Sequence, residues 1–343
     1  MSTRRSSGRL HPAVADVRRA VRGSLADLDP GSAVIVACSG GADSMALAAA
    51  TSFEGAKAGW LVRAVVVDHA LQAGSRELTG RVVTRLRDIG IEGVDEARVA
   101  VGGAGGPEAA ARRARYAALT AAAEADDATV VLGHTMDDQA ETVLLGLGRG
   151  SGLRSLAGMA TVSGRYRRPL LELRRAVTAR ACDAQGIEVY EDPHNVDPRF
   201  TRVRVRHELL PTLQAVLGPG VVEALARTAT AAGHDADVLD GLAADLLEAA
   251  RDGGGLRVDT LDPSPPALRR RALRQAALDA GAPVSELFAV HVDAVERLLT
   301  HWHGQAAIDL PGGISVTRSD DAVIRFSRLG TSAPPRDPSG RHP

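Results

Sequence analysis

The sequence has little cysteine, almost no lysine and few aromatic residues, and each scarcity excludes a class of protein. The 343 residues include two cysteines, Cys38 and Cys182, which are too few for a disulfide framework or, by themselves, for a four-thiolate zinc or iron–sulfur site. All but one of the 41 basic residues are arginine. A Walker-type P-loop needs lysine followed by serine or threonine, and the single lysine, Lys57, precedes Ala58, so that motif is excluded.

The same lysine would have to carry any Schiff-base or kinase-type lysine chemistry. We expect Lys57 to lie in a polar stretch, 54–59, between regular elements. That position does not favour either chemistry.

Long apolar runs are also absent. No stretch approaches the roughly 18 residues that a membrane span needs, and residues 1–22 lack the apolar core of a signal peptide. The content of 45% hydrophobic and 24% charged residues is typical of a folded, water-soluble protein. We therefore expect a cytoplasmic protein with no membrane partner, built as two domains or as one large domain with an appendage.

The formal net charge is −1, but the charges are unevenly distributed. Arginines greatly outnumber acids from Arg149 to Arg180, and four more arginines follow from Arg199 to Arg206 with no acid between them, whereas acids dominate from His234 to Asp262. A positive middle beside a negative flank predicts a local surface for phosphates. For any single arginine, a solvated helix face is an equally good explanation. Because aromatic residues make up 3% of the chain, base stacking would depend on guanidinium planes more than on rings.

The first half alternates β-branched apolar runs with alanine-rich helical patterns, which is typical of parallel strands joined by crossover helices. We predict strands at 33–38, 61–68, 93–101 and 129–133, and helices at 44–52, 75–89, 107–125 and 137–147. Such strands are covered on both faces, so the fold class is α/β with a doubly wound, mostly parallel sheet. A ligand should bind beyond the carboxyl ends of the strands.

The second half predicts a smaller α+β domain. A helix at 174–185, a short strand at 187–190 and helical patterning at 201–217 precede a Gly-Pro-Gly break at 218–220. Beyond the break we predict helices at 221–251, 266–280 and 284–301, and strands at 307–310, 314–317 and 322–326. The predicted domains are therefore 1–217 and 218–330, followed by a disordered tail, 331–343.

A hydroxyl- and glycine-rich loop follows the first predicted strand. It consists of Ser39, Gly40, Gly41, Ala42, Asp43 and Ser44. Two glycines let backbone N–H groups approach a phosphate closely, and the following helix contributes its positive end. A carboxylate here would repel phosphates unless Mg²⁺ lies between them, so Asp43 indicates a nucleotide with its metal. The alternative is a plain turn whose Ser and Asp cap the helix.

A second polar segment follows the fourth predicted strand, at the same expected edge. Asp137 and Glu141 share a helical face there, and with Asp43 they could hold metal and position a nucleophile. Asp138 and His134 flank them. Helix capping by the two aspartates and an ordinary hydrogen-bonded histidine remain the alternatives. On the preceding helix, Glu108, Arg112 and Arg115 can share one face.

These motifs resemble a known family. The loop is similar to the pyrophosphate loop of the N-type ATP pyrophosphatases, whose members include amide synthetases and several tRNA-modifying enzymes. The order of motifs from Val34 to Pro211 resembles the tRNA(Ile)-lysidine synthases, and the segment from Val221 to Phe326 is similar to their substrate-binding domain. The further motifs that carry this resemblance are Asp68-His69-Ala70-Leu71, Arg149-Gly-Ser-Gly152, Arg168-Pro-Leu-Leu171, Glu191-Asp-Pro-His-Asn195 and Arg202-Val-Arg-Val-Arg206-His-Glu-Leu-Leu-Pro211.

The resemblance implies an adenine nucleotide alpha hydrolase-like fold and a ligase that forms a carbon–nitrogen bond. In that reaction ATP adenylates the C2 oxygen of the wobble cytidine, position 34, of the CAU-anticodon tRNA(Ile). The side-chain amine of free L-lysine then attacks C2, which releases AMP and leaves lysidine, and the codon read changes from AUG to AUA. ATP and Mg²⁺ would be the cofactors, and two chains could associate as a homodimer.

The resemblance also implies roles for individual residues. The catalytic set would be Asp43, Arg112, His134, Asp137 and Glu141. ATP would contact Ser39, Gly40, Gly41, Ala42, Asp43, Ser44 and His69, with Asp43 holding Mg²⁺. Substrate would contact Arg115, Asp138, Arg149, Arg174, Arg202, Arg204 and Arg206.

Two alternatives remain open at this point. The first is a different ATP pyrophosphatase, either a small-molecule amide synthetase or another tRNA-modifying enzyme. A small-molecule synthetase would share the loop and the carboxylates but would not need the arginines. A nucleotide-binding regulatory domain without turnover would not need Asp137 and Glu141. Glutaminase and sulfur-inserting relatives would need reactive cysteines, whereas we expect Cys38 and Cys182 to be small core residues.

Overall fold

The computed structural model describes residues 10–68, 75–99, 106–150, 152–190 and 196–328, and it describes no side chains for 106–109. Several predictions lie outside the described residues: the role of His69, the motif 191–195 and the tail from 331. The side chain of Glu108 is likewise not described. The chain divides into two compact units, Met1–Gly233 and His234–Pro343.

The first unit contains a six-stranded sheet. Its strands are β1 (Ala33–Cys38), β2 (Leu61–Asp68), β3 (Gly93–Arg98), β4 (Thr129–Leu132), β5 (Val162–Ser163) and β6 (Tyr166–Arg167). They lie in the order β3-β2-β1-β4-β6-β5, and all pairs are parallel except the β5–β6 hairpin. The chain winds from β1 to β2 on one side and later returns to β4 on the other. A crevice for ligand is expected where the winding reverses, at the carboxyl ends of β1 and β4.

Helices cover both faces of this sheet, as predicted for a doubly wound fold. The helices of this unit are α1 (Pro12–Ser24), α2 (Ala42–Ala58), α3 (Ser75–Asp88), α4 (Gly106–Ala125), α5 (Met136–Gly148), α6 (Leu153–Leu156), α7 (Arg175–Gln185), α8 (Thr201–Arg204) and α9 (Leu210–Leu217), with a π-helical turn (Val205–Leu209) between the last two. Side chains alternate along a strand, so Val34 and Val36 join one core with Met45, while Ile35 joins another with Leu119.

The second unit is an α+β domain, as predicted. The helix α10 (Val221–Ala250) leads into it, and the chain passes from one unit to the next inside this helix. The later elements are β7 (Arg251–Asp252), β8 (Gly255–Arg257), α11 (Val258–Leu261), α12 (Pro266–Asp279), α13 (Ala289–Thr300), β9 (Ile308–Leu310), β10 (Ile314–Arg318) and β11 (Val323–Arg328). The strands form an antiparallel sheet in the order β7-β8-β11-β10-β9. The predicted boundary at 217/218 stays a prediction.

Four local predictions were wrong or incomplete. Residues 187–190 form no strand; instead the Tyr190 N–H donates to the Gly40 carbonyl at 2.9 Å. Lys57 lies in the last turn of α2, not between elements, with its ammonium 4.4 Å from the centre of the Phe53 ring. The helix predicted from 284 begins at Ala289. The helix α1 was not predicted, although its buried Val14, Val17 and Val21 have helical spacing.

No single described helix is both long and apolar enough to cross a membrane. One pair, Thr201–Leu217 with Val221–Ala250, meets that test by length and composition only when both parts are taken together across a 100° bend.

Candidate functional site

The nucleotide loop, Ser39–Ser44, is organised by its own last residue. The Ser44 hydroxyl accepts a hydrogen bond from the Ser39 N–H at 3.2 Å and donates one to the Gly41 carbonyl at 2.9 Å. Gly40 has φ of +84°, and a Cβ there would lie 2.5 Å from Val82 Cγ2. The loop leads directly into the amino end of α2, whose first N–H groups lack intrahelical partners. This arrangement can bind an anion.

The end of β4 lies directly against the start of α2. A Cβ at Gly133 would lie 3.1 Å from the backbone of Asp43 and from Ser44 Cα. A side chain here would press against the backbone of α2, and glycine avoids that contact. The contact therefore places the segment after β4, which includes His134 and the acids of α5, beside the nucleotide loop.

The side chain of Asp43 contacts α7. Its Oδ1 accepts a hydrogen bond from the Thr178 hydroxyl, and its Oδ2 lies 3.3 Å from Arg175 Nε. Burial raises the pKa of Asp43, and the nearby charge of Asp138 adds to the rise, while Thr178 and Arg175 oppose it.

The donor set around Asp43 can be tested for Mg²⁺. Among the described residues, no group of three His, Cys, Asp or Glu is placed to hold a metal ion. Nucleotide-bound Mg²⁺ usually takes one or two carboxylates, phosphate oxygens and water. A single carboxylate beside a phosphate cradle fits that arrangement, so Asp43 is a suitable ligand.

Asp137 joins the amino ends of α5 and α7. Its Oδ2 accepts the backbone N–H of Arg175 at 2.8 Å, and its carboxylate lies 3.2 Å from Arg174 Nε and Nη2. The Met136 N–H also donates to the Leu173 carbonyl at 2.9 Å. Asp137 therefore has a structural function here, and its predicted part in catalysis stays a prediction.

Beside the loop lies a charge cluster, which we define as Asp138, Glu141, Arg175, Arg202 and Arg206. Glu141 is 0% exposed. Its Oε1 lies 2.7 Å from Arg206 Nε and 3.4 Å from Arg175 Nη2, and its Oε2 lies 3.1 Å from Arg202 Nε. Both oxygens are thus engaged by arginine, and α5, α7, α8 and the π-helical turn each contribute to the cluster.

Asp138 links this cluster to the start of α5. Its Oδ2 accepts the N–H and hydroxyl of Thr135, each at 2.8 Å, while its Oδ1 lies 2.8 Å from Arg175 Nη2 and 3.2 Å from Arg206 Nη2. Burial alone would raise the pKa of Asp138, but Arg175 and the Thr135 N–H bring it below its ordinary value. The carboxylate is therefore ionised and fully hydrogen-bonded.

His134 lies on the arginine-rich side of the same region. Burial lowers its pKa from 6.5 to about 3, against the raising effect of Asp138, and the charges of Arg115, Arg168 and Arg112 lower it further. Its Nδ1 is buried without a hydrogen-bond partner. A neutral imidazole with a free buried nitrogen can bind a ligand, because an unsatisfied buried polar atom is costly.

The remaining predicted residues are more dispersed. The guanidinium groups of Arg112 and Arg115 lie 4.9 Å and 5.9 Å from the centre of the Tyr116 ring. Arg149 is exposed at the end of α5. Arg204 is exposed and lies 3.4 Å from Glu208, four residues further along the chain. The structure therefore brings the predicted acids to the loop but leaves Arg149 and Arg204 on the surface.

Sequence reasoning missed Arg175, Thr178 and Glu223. Arg175 contacts three acids, Thr178 follows one helical turn later, and Glu223 lies 2.7 Å from Arg174 Nη1. Only the adjacent Arg174 was predicted to act. The i, i+3 spacing of Arg175 and Thr178 was the available signal, but it does not say which face meets the loop.

The cysteines are core residues, as predicted. Cys38 and Cys182 are both buried. Burial raises the pKa of Cys182 to about 12, so its thiol stays protonated at neutral pH.

Comparisons with known proteins identify the family and its two domains. The PP-loop domain family matches residues 14–213, and the TilS substrate binding domain family matches 256–324. The chain is 52% identical to the tRNA(Ile)-lysidine synthase of Streptomyces coelicolor, over 92% of this chain and 98% of that protein. It is 53% identical to that of Thermobifida fusca, over 91% and 97%.

A solved structure shares the fold. The U34-tRNA thiolase NcsA from Methanococcus maripaludis, with its [4Fe-4S] cluster, aligns with a TM-score of 0.54 at 16% identity, over 63% of this chain and 78% of that one. At this identity the likeness supports the fold alone.

Proposed function

The chain belongs to the tRNA(Ile)-lysidine synthase family, and from this premise we propose how its own residues perform the reaction. The protein is an ATP-dependent ligase that forms lysidine on tRNA(Ile). In this family ATP adenylates the wobble cytidine, and an amine then displaces AMP. The single observation that carries our residue assignments is the contact of Gly133 with Asp43 and Ser44, because it joins the phosphate cradle to the acidic start of α5.

We propose that ATP binds with its pyrophosphate against the N–H groups of Ser39–Ser44. Asp43 would hold the accompanying Mg²⁺, which supplies charge neutralisation to the leaving pyrophosphate. The amino end of α2, which follows the loop directly, would add to this neutralisation through its unpaired N–H groups. His69 is proposed to contact the nucleotide, as the family resemblance implies.

We propose that free L-lysine is the nucleophile and that the acids of α5, Asp137 and Glu141, bind its ammonium group before it loses a proton. Arginines already engage both oxygens of Glu141, so the ammonium must share or displace them. Neutral His134, with its unpartnered Nδ1, is proposed to hold the cytidine next to Arg112. A nitrogen of a neutral imidazole can donate a hydrogen bond to a base or accept one from it.

The tRNA phosphates are proposed to contact Arg115, Arg149, Arg174, Arg202, Arg204 and Arg206, with Asp138 holding the nearby arginines in place. Exposed Arg149 and Arg204 are the best placed for the backbone. Each phosphate contact would contribute about −0.7 to −0.9 to the slope of log affinity against log salt. A flat salt response would contradict these contacts. A cytoplasmic location and a homodimer are further proposals.

The direct test is mass spectrometry of tRNA(Ile) after incubation with ATP and isotope-labelled lysine. The expected result is incorporation of one labelled lysine at the wobble cytidine, with pyrophosphate release that requires tRNA. Pyrophosphate release with a small molecule in place of tRNA would instead indicate a small-molecule amide synthetase. Bound but uncleaved ATP would indicate a regulatory domain.

A variant of Asp43 tests the metal assignment. Asp43→Asn removes the charge but keeps the shape, and we expect it to abolish pyrophosphate release while tRNA affinity stays within a factor of two. Wild-type turnover in this variant would overturn the role of Asp43.

A further inference from the structure

One guanidinium spans the two halves of the site. Arg175, the first residue of α7, lies 3.3 Å from Asp43 Oδ2 through its Nε, and its Nη2 lies 2.8 Å from Asp138 Oδ1 and 3.4 Å from Glu141 Oε1. The first of these acids belongs to the nucleotide loop and the other two to α5. Arg175 is therefore a counter-ion shared by both parts of the site.

The adjacent arginine has a different position. The guanidinium of Arg174 hydrogen-bonds to Asp137 and Glu223. Its side chain is 32% exposed and that of Arg175 is 28% exposed. The two residues share a helix end and a similar degree of burial, but only Arg175 reaches the acids of the loop and of the charge cluster. Contact with both the loop and the cluster is therefore specific to Arg175 and is not shared by its neighbour at the same helix end.

Two of the three acids that Arg175 contacts are proposed sites for cations. Asp43 would take the metal ion of ATP, and Glu141 would take the ammonium of lysine. A guanidinium at these positions opposes the binding of either the metal ion or the ammonium group by like-charge repulsion. A bound triphosphate changes the balance, because phosphate oxygens accept paired, charge-assisted hydrogen bonds from arginine.

We propose that Arg175 is a positioning residue that occupies the cation sites of the free enzyme and moves toward the phosphates when ATP binds, which leaves the lysine ammonium one arginine fewer to compete with at Glu141. This inference rests on the proposed function. It makes lysine affinity dependent on nucleotide, and by thermodynamic linkage lysine strengthens nucleotide binding by the same factor.

The experiment is equilibrium dialysis of labelled L-lysine with the full chain, without tRNA, in the presence and absence of the magnesium complex of α,β-methylene-ATP. For the wild type we expect the analogue to tighten lysine binding by about fivefold or more, the lower end of ordinary coupling. Arg175→Gln should bind lysine more tightly than wild type without nucleotide and should show no response to the analogue. Arg180→Gln, at an exposed arginine further along α7, is the control and should keep the wild-type ratio of the two dissociation constants.

A conservative variant separates this role from simple loss of folding. Arg175→Lys keeps the charge, but one ammonium cannot span three carboxylates, so the ratio should fall toward one. If near-UV circular dichroism shows that Arg175→Gln is unfolded, the test uses the ratio of the lysine dissociation constants, without and with the analogue, in Arg175→Lys. A wild-type ratio in Arg175→Lys, or no nucleotide effect in an enzyme that does form lysidine, overturns the role of Arg175 alone. Failure of the wild type to form lysidine overturns the proposed function as well.

Discussion

The nucleotide loop and the charge cluster lie side by side, but they are built in different ways. The loop consists of six consecutive residues, and its internal hydrogen bonds join Ser39, Gly41 and Ser44. The cluster joins residues as far apart as Asp138 and Arg206. The loop depends on backbone conformation, whereas the cluster depends on balanced charge in a buried place. Substitutions in the two regions should therefore act through different physical terms.

The largest effect is expected in the charge cluster. Glu141→Gln leaves three arginines with one counter-charge fewer in a buried site, so we expect the free energy of unfolding to fall by about 3 to 5 kcal/mol. Urea denaturation measures the change. Glu208→Gln is the control, because its pair with Arg204 is exposed and should matter by less than about 0.5 kcal/mol. Similar losses in both variants would contradict the difference between cluster and surface.

The next effect is expected in the loop. Gly40→Ala would place a Cβ at φ of +84° and 2.5 Å from Val82, so strain and overpacking together should cost about 3 kcal/mol. Gly150→Ala is the matched control, since Gly150 has φ of +62° with no neighbour within 4 Å and should cost only about 1 kcal/mol. Equal losses in thermal or urea unfolding would show that the contact with Val82 is unimportant.

The third effect is a dependence of stability on pH, and it comes from His134, which lies beside the charge cluster. The pKa of His134 is about 3 in the folded chain, against an ordinary 6.5. As the pH falls below 6.5 the unfolded chain takes up a proton that the folded chain does not, so stability is lost progressively toward pH 3. From pH 7 to pH 5 the wild type should lose about 2 kcal/mol more than His134→Gln. Parallel pH profiles of unfolding for the two proteins would contradict a neutral, buried His134.

The smallest effect concerns the hydroxyl that closes the loop. Ser44→Ala removes the hydrogen bonds to the Ser39 N–H and the Gly41 carbonyl, and we expect a loss of about 1 kcal/mol. Ser39→Ala should change stability less, because Ser39 is exposed. The expected change in function is larger for Ser44→Ala, since a relaxed loop no longer aims its N–H groups at the pyrophosphate. Nucleotide binding by calorimetry checks this, and unaltered ATP affinity in Ser44→Ala would argue against the closing role.

Local patterns predicted the elements that are themselves local. The strands β1 and β2 match their predicted bounds, and α3, α4, α5, α7 and α12 agree to within one residue at each end, because apolar periodicity and capping residues act over a few positions. The predicted strand at 187–190 was wrong because the pattern that predicts it is also local. Its apolar, β-branched residues resemble a strand, but strand formation needs a partner, and Tyr190 instead donates to the Gly40 carbonyl.

The candidate site divides in the same way. The loop, Asp43 and the acids of α5 could be named from the sequence, since each stands directly after a strand where a parallel sheet collects its ligands. The sequence shows how many arginines this part of the chain has, but it does not predict which acids each arginine contacts. Arg174 and Arg175 are neighbours with the same chemistry, and only the angle at which α7 meets α2 and α5 makes Arg175 the shared counter-ion.

Consecutive residues are enough to predict the sheet class, the position of the Ser39–Ser44 loop and the family, because strand periodicity and loop composition are local properties. The folded chain is needed to show that three arginines hold Glu141, that Asp137 joins two helix ends, and that His134 is neutral. These properties come from burial and from charges brought together across tens of residues. Electrostatic energy depends on distance and on solvent exposure, and neither quantity can be measured along a chain.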